Sequence, residues 1–106
     1  MGYVYLICDP VTDNFKIGVT RNKNNDRIKK LQTGNPTELF IRDIYETPWP
    51  FRLEKMLHKH FENQHVLNEW FKLSTNDVCE FLTTCKKLEN HIKSMLDNPF
   101  FVKNLK

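Results

Sequence analysis

The chain has 106 residues, 40% of them apolar and 27% charged, a composition that folds as one domain and leaves no length for a second. Its formal charge of +3 excludes a polycation of the histone or protamine kind, and no apolar run approaches the ~18 residues of a membrane span. Three Cys without CxxC spacing (Cys8, Cys79, Cys85) argue against a disulfide framework or a Cys-rich zinc site and are expected as reduced, buried thiols. The first apolar stretch lacks the charged lead of a signal peptide, so the expected location is intracellular, in cytoplasm or nucleus.

In chain order, residues 3–8 are apolar and rich in β-formers, which predicts a strand buried on both faces. Asp9 to Asn14 form turns, and Phe15 to Thr20 alternate with Phe15, Ile17 and Val19 on one face, which predicts an antiparallel hairpin. A four-residue loop pairing Cys8 with Asp13 places Tyr5 across from Lys16 and Tyr3 across from Gly18. Asp26 to Thr33 reads as a short helix closed by Gly34. Leu39 to Tyr45 reads as a third strand. Residues 51–62 carry Leu53, Met56, Leu57 and Phe61 at helical spacing, with Glu54, His58 and Glu62 on the other face. Residues 65–73 are irregular or strand-like. Ser74 then caps a long helix, with Asp77 as its first-turn acid and an apolar stripe from Val78 to Leu96. The expected fold is α/β (α+β): a small, mostly antiparallel three-stranded sheet flanked by helices, with a long C-terminal helix, in one domain over 1–106.

Charge is uneven along this order. Lys16, Arg21, Lys23, Arg27, Lys29 and Lys30 face only Asp26 between residues 16 and 30, while the stretch bearing Glu54 is net acidic. A local basic cluster on a nearly balanced protein suits contact with phosphates, or simply a solvated helix face.

Four residues break the pattern of their elements: Tyr5 inside a buried strand, Lys16 in its hairpin partner, Arg27 at a helix start and Glu54 on an amphipathic helix. A guanidinium can grip a phosphate bidentately and stabilise transition-state charge. A carboxylate can hold a hard divalent cation, and a phenol beside a cation can accept a proton from attacking water.

These residues lie in a recognisable order. Tyr3-Val4-Tyr5, a gap of ten residues, then Lys16-Ile17-Gly18 resembles the paired signature of the GIY-YIG endonuclease superfamily. Arg27 through Pro36, Glu54 through Phe61 and Glu69-Trp70-Phe71 also resemble its short stand-alone branch from phages, large DNA viruses and fungi, over residues 2–73. The resemblance implies a metal-dependent DNA endonuclease that nicks one strand per active site. It implies Tyr5 as general base, Arg27 on the phosphate and Glu54 as ligand of a single Mg²⁺ or Mn²⁺. Lys16 stands where the family keeps its second tyrosine and would orient the water or lower the Tyr5 pKa. Asn68 is the candidate for the late asparagine, and His58 would position a phosphate or complete the metal shell. Arg21, Lys23, Lys29 and Lys30 would add contacts to DNA.

Each residue also has a plainer structural reading. Tyr5 can be a sheet tyrosine with a satisfied hydroxyl, Lys16 a snorkelling edge-strand cation, and Glu54 with His58 a helical i, i+4 pair. His58, His60 and His65 beside Glu62 and Glu69 match neither HExxH nor a zinc finger. Trp49, Trp70 and Phe71 read as core or core edge rather than base-stacking platforms. The alternative function is a catalytically weak or inactive module on the same fold, binding nucleic acid or a protein; a third is a homodimer through the last helix.

Overall fold

The computed structural model describes residues 1–21 and 39–96. Within them five strands form a single antiparallel sheet: β1 (Gly2–Asp9), β2 (Asn14–Thr20), β3 (Phe40–Thr47), β4 (His65–Leu67) and β5 (Trp70–Phe71), in the order β3-β1-β2-β5-β4. The helices are α1 (Pro50–His60), α2 (Thr75–Cys79) and α3 (Phe81–Leu96), with a 3-10 turn at Glu62–Gln64. The expected α+β class, antiparallel sheet and long C-terminal helix are present. The sheet is wider by two short strands, because residues 65–71 pair with the outer edge of β2 through Phe15↔Phe71 and Lys16↔Trp70. The helix expected at Asp26–Thr33 lies outside the described residues.

The hairpin register differs from the expectation by two residues. Asp9 pairs with Asn14, so Tyr5 lies across from Gly18, Tyr3 from Thr20, and Lys16 from Ile7. The turn explains the shift. The Asp9 carboxylate accepts from the Val11 amide (3.1 Å), its carbonyl accepts from the Asp13 amide (2.8 Å), and Asp13 adopts φ 60°, a conformation Asp tolerates. A shift of two keeps every side chain on its intended face.

One face of the sheet carries Val4, Leu6, Phe15, Ile17 and Val19 into the main core, where Leu53, Leu57 and Phe61 of α1 meet Val78, Phe81, Cys85 and Ile92. Each fully buried apolar side chain of this size contributes about 1.5–3 kcal/mol. On the opposite face Tyr5, Ile7 and Leu39 form a second cluster with Ile44 and Trp70 packed against it. Pro50 occupies the first turn of α1, where its fixed φ and missing N–H cost nothing.

Ser74 caps α2 as expected, in a reciprocal box with Asp77. The single long helix expected beyond it is interrupted at Glu80, which divides it into α2 and α3. The apolar stripe packs into the protein's own core, Leu82 excepted, so α3 has no second apolar seam to offer a partner copy. Of the three thiols only Cys85 is buried; Cys8 is half-buried and Cys79 exposed, which corrects the expectation for those two. Burial pushes the Cys85 thiol up to about 12. Among the described residues no helix is long and apolar enough to cross a membrane.

Candidate functional site

The site is built along β2, beginning with Gly18. A Cβ at Gly18 would fall within the end of the Tyr5 ring, 2.9 Å from Cε1 and closer still to Cζ and Oη. The phenol therefore lies in the space that a side chain at position 18 would occupy. Glycine is required here by this close approach rather than by its backbone angles. Tyr5 is 2% exposed.

Helix α1 supplies the neighbouring groups. His58 Nε2 donates to the Ile17 carbonyl (3.0 Å) and its ring meets Phe71 edge-on at 5.0 Å. Since a carbonyl only accepts, this bond fixes the tautomer with the proton on Nε2. One helical stripe away, the Phe51 ring lies 5.7 Å from the Arg21 guanidinium carbon. Phe51, Glu54 and His58 are spaced i, i+3 and i+7 on one helix face. Its two ends meet the chain at Arg21, just past β2, and at the Ile17 carbonyl, and Glu54 lies between them along the helix. The half-buried Glu54 also lines an open groove of about 380 Å³ with Pro48, Trp49, Pro50, Phe51, Arg52 and Lys55.

Lys16 belongs to the other half of β2. It is 8% exposed, its ammonium pairs with Glu69 Oε2 at 2.5 Å, and it stands 5.9 Å from the Trp70 ring centroid. Glu69 also accepts the Ile17 amide through its carbonyl (3.1 Å). The expected pairing of Lys16 directly across from Tyr5 is thus replaced by a diagonal relationship, with the ammonium directed to Glu69. Asn68 sits at the exposed tip between β4 and β5 with φ 53°, and its carbonyl accepts from His65 Nε2 at 2.5 Å. Turn geometry accounts for Asn at this position.

Arg21 is exposed beside Phe51; Lys23, Arg27, Lys29 and Lys30 lie outside the described residues. Among the described residues no three His, Cys, Asp or Glu come together as a metal cluster. Glu54 is the one carboxylate in the lining of the open groove. That suits a hard cation such as Mg²⁺, which keeps most of its waters and takes one or two carboxylates plus phosphate oxygens.

Two groups escaped the sequence reading. Phe51 is 54% exposed at the start of α1, and its signal was an aromatic on the polar face of the helix, three residues before Glu54. Glu89 is buried on α3 and accepts from the Tyr45 hydroxyl at 2.9 Å. Burial alone would raise its pKa. Hydrogen bonds from Thr47 and Tyr45, with the Lys93 and Lys86 ammoniums, more than offset this and hold it below the usual carboxylate value. The Thr47 hydroxyl oxygen in turn accepts the Trp49 amide at 3.2 Å, so this buried network braces one wall of the groove.

An antiparallel sheet with one helix laid along the free end of its second strand defines a small α+β domain with a solvent-open edge site. The chain belongs to the T5orf172 domain family, whose model matches residues 2–86. An uncharacterized protein of Acanthamoeba polyphaga mimivirus is 35% identical over 79 residues, which cover 73% of this chain and 20% of that protein. The chain spans about a fifth of the length of that curated relative. No solved structure matches.

Proposed function

We propose that this chain is a metal-dependent DNA endonuclease of the GIY-YIG type, hydrolysing one phosphodiester bond per active site. What supports the reading is the end of β2 that β5 leaves unpaired: Tyr5 lies over Gly18 there, and α1, the helix that bears Glu54, is bonded to the same strand through His58 and the Ile17 carbonyl. Membership of the T5orf172 domain family supports a role on nucleic acid.

In this reading the Tyr5 phenolate oxygen accepts a proton from the attacking water, and the Arg27 guanidinium holds the scissile phosphate. Glu54 would hold a divalent cation, Mg²⁺ or Mn²⁺, which when bound offsets charge developing on the leaving oxygen. His58 fixes α1 against β2 through the Ile17 carbonyl and so positions Glu54. Lys16, through Glu69, holds β5 to β2 and sets the end of the covered edge.

The test is plasmid nicking with Mg²⁺ or Mn²⁺ by wild type, Tyr5→Phe, Arg27→Ala and Glu54→Gln. Wild type nicks, and each variant loses activity on the order of 10²-fold or more. Equal nicking by all four proteins would sink the assignment. The second reading, a binding module without cleavage, is favoured by one observation: the cation at the second signature position is already paired with Glu69. It predicts salt-sensitive DNA binding through Arg21 and the 23–30 segment with no metal-dependent product.

A further inference from the structure

The groove beside Glu54 has a composition that phosphate chemistry alone does not use. Phe51 presents an exposed ring at its mouth, with the Arg21 guanidinium close to that ring. Trp49 and Pro48 add apolar lining, Arg52 and Lys55 add two cations, and Glu54 is the one carboxylate in the lining. Single exposed aromatics are ordinary on protein surfaces. This one is continuous with a concave apolar wall and flanked by three cations against one carboxylate.

The groove is also held in place. The first turn of α1 packs so closely on the start of β1 that a Cβ at Gly2 would lie 2.7 Å from Pro50 Cγ. Thr47 binds the Trp49 amide and is itself a donor to Glu89. A concave site with an aromatic face and cations in and beside its lining suits a planar ligand that carries negative charge.

We infer that this groove is a base-stacking subsite: an unpaired nucleobase stacks on Phe51, and its phosphate is held by Arg21 and Arg52. The placement beside Glu54 rests on the nuclease reading. It deepens that reading by naming the substrate class as nucleic acid with an unpaired nucleotide next to the cleaved bond. Paired bases in a duplex present no free π-face to a side chain, whereas every unpaired base does, which makes such stacking tolerant of sequence.

The experiment measures binding by fluorescence anisotropy in EDTA, where no cleavage occurs. The probes are a labelled oligothymidylate, the same strand with abasic residues and a blunt duplex, each titrated with wild type, Phe51→Ala, Phe51→Trp and Arg21→Gln. Phe51→Ala weakens binding of the intact strand about 5- to 150-fold, leaves the abasic strand and the duplex unchanged, and keeps the salt slope. Phe51→Trp restores intact-strand binding. Arg21→Gln lowers the salt slope by about one unit on all three probes. Equal binding of intact and abasic strands by wild type, or of the intact strand by wild type and Phe51→Ala, would overturn the subsite. In that case metal-dependent nicking that is lost in Glu54→Gln would still stand. Stacking without any nicking by wild type would instead remove the nuclease reading and keep the subsite. Failure of wild type to bind any probe at low salt would overturn the subsite, while the nuclease reading, which needs the cation that EDTA removes, is decided by the nicking assay.

Discussion

The two halves of β2 are built from the same alternating pattern yet carry opposite duties. From Phe15 to Ile17 the outer edge is closed: β5 pairs with it, Glu69 accepts the Ile17 amide, and the Lys16 ammonium is tied to the Glu69 carboxylate. From Gly18 to Thr20 β5 no longer follows, and the α1 stripe bearing Phe51, Glu54 and His58 touches the chain on either side of this stretch, at Ile17 and at Arg21. Lys16 and Gly18 point to the same face two residues apart. One is charged and committed to a partner; the other has no side chain, so that Tyr5 can lie over it. The difference teaches that a charge in a strand does not mark its open end. The open end is where pairing stops and space has been left.

The largest expected effects separate the halves by what they damage. Glu54→Gln in the open half lowers nicking on the order of 10²-fold or more and shifts unfolding free energy by less than about 0.5 kcal/mol, as expected for a half-buried surface-lining group. Glu69→Ala in the closed half does the reverse. Removing one partner of a buried ion pair costs about 3–5 kcal/mol, and with Glu69 33% exposed the loss should be nearer 2–3 kcal/mol. Replacing both partners, Lys16→Met with Glu69→Leu, should recover most of it, since no uncompensated ammonium remains. Urea unfolding of the three proteins decides this. A single variant as stable as wild type would mean that the closed half does not depend on its ion pair.

Gly18→Ala tests the boundary between the halves. The new methyl group must displace the Tyr5 ring or the strand, at about 1–3 kcal/mol, read as a lower urea midpoint with unchanged m-value. Nicking should fall with it, because the phenol loses its place. A Gly18→Ala protein as stable and active as wild type would show that the ring does not need that space.

Much of this was legible in the sequence, and the exceptions have physical causes. Alternation in residues 15–20 and the unbroken apolar run before it placed the hairpin and its faces, because a period of two is a direct consequence of strand geometry. The register was not legible. It depends on whether Asp9 ends the strand or only caps the turn, and it does both: it pairs with Asn14 while its carboxylate accepts the Val11 amide. β5 was invisible as a strand because two residues carry no periodicity; only pairing with Phe15 and Lys16 defines it. The partner of Lys16 sits 53 positions away, a separation that no local pattern reports. At the candidate site, Tyr5 and Glu54 stood out as polar groups on apolar or amphipathic elements. Phe51 did not, since an aromatic near a helix start reads as core until its exposure is known.

The smallest effects concern the brace behind the groove, and their sign follows from the direction of each shift. Glu89 is held below its ordinary value of 4.5 by the donors and ammoniums that offset its burial. A depressed carboxyl contributes stability above the unfolded value and loses it as pH falls through the folded one. Wild type should therefore lose stability relative to Glu89→Gln from about pH 5 downward, while the amide variant has no proton to gain there. Asp77, held low by hydrogen bonds from Ser74 and Gln64 against the cost of its burial, adds a limb of the same sign in both proteins and cancels from the difference. At the other end Tyr45 is raised to about 12 by burial first and by its bond to Glu89 second. The folded protein then keeps a proton that the unfolded chain releases above its ordinary value of 10.0, so stability declines between these two values, and Tyr45→Phe removes this share of the decline while the share of the raised Cys85 thiol stays. Chemical denaturation of the three proteins across this range reads both limbs. A free-energy difference between wild type and Glu89→Gln that stays constant from about pH 6 to about pH 3 would show that the carboxylate behind the groove wall is not held as its partners require.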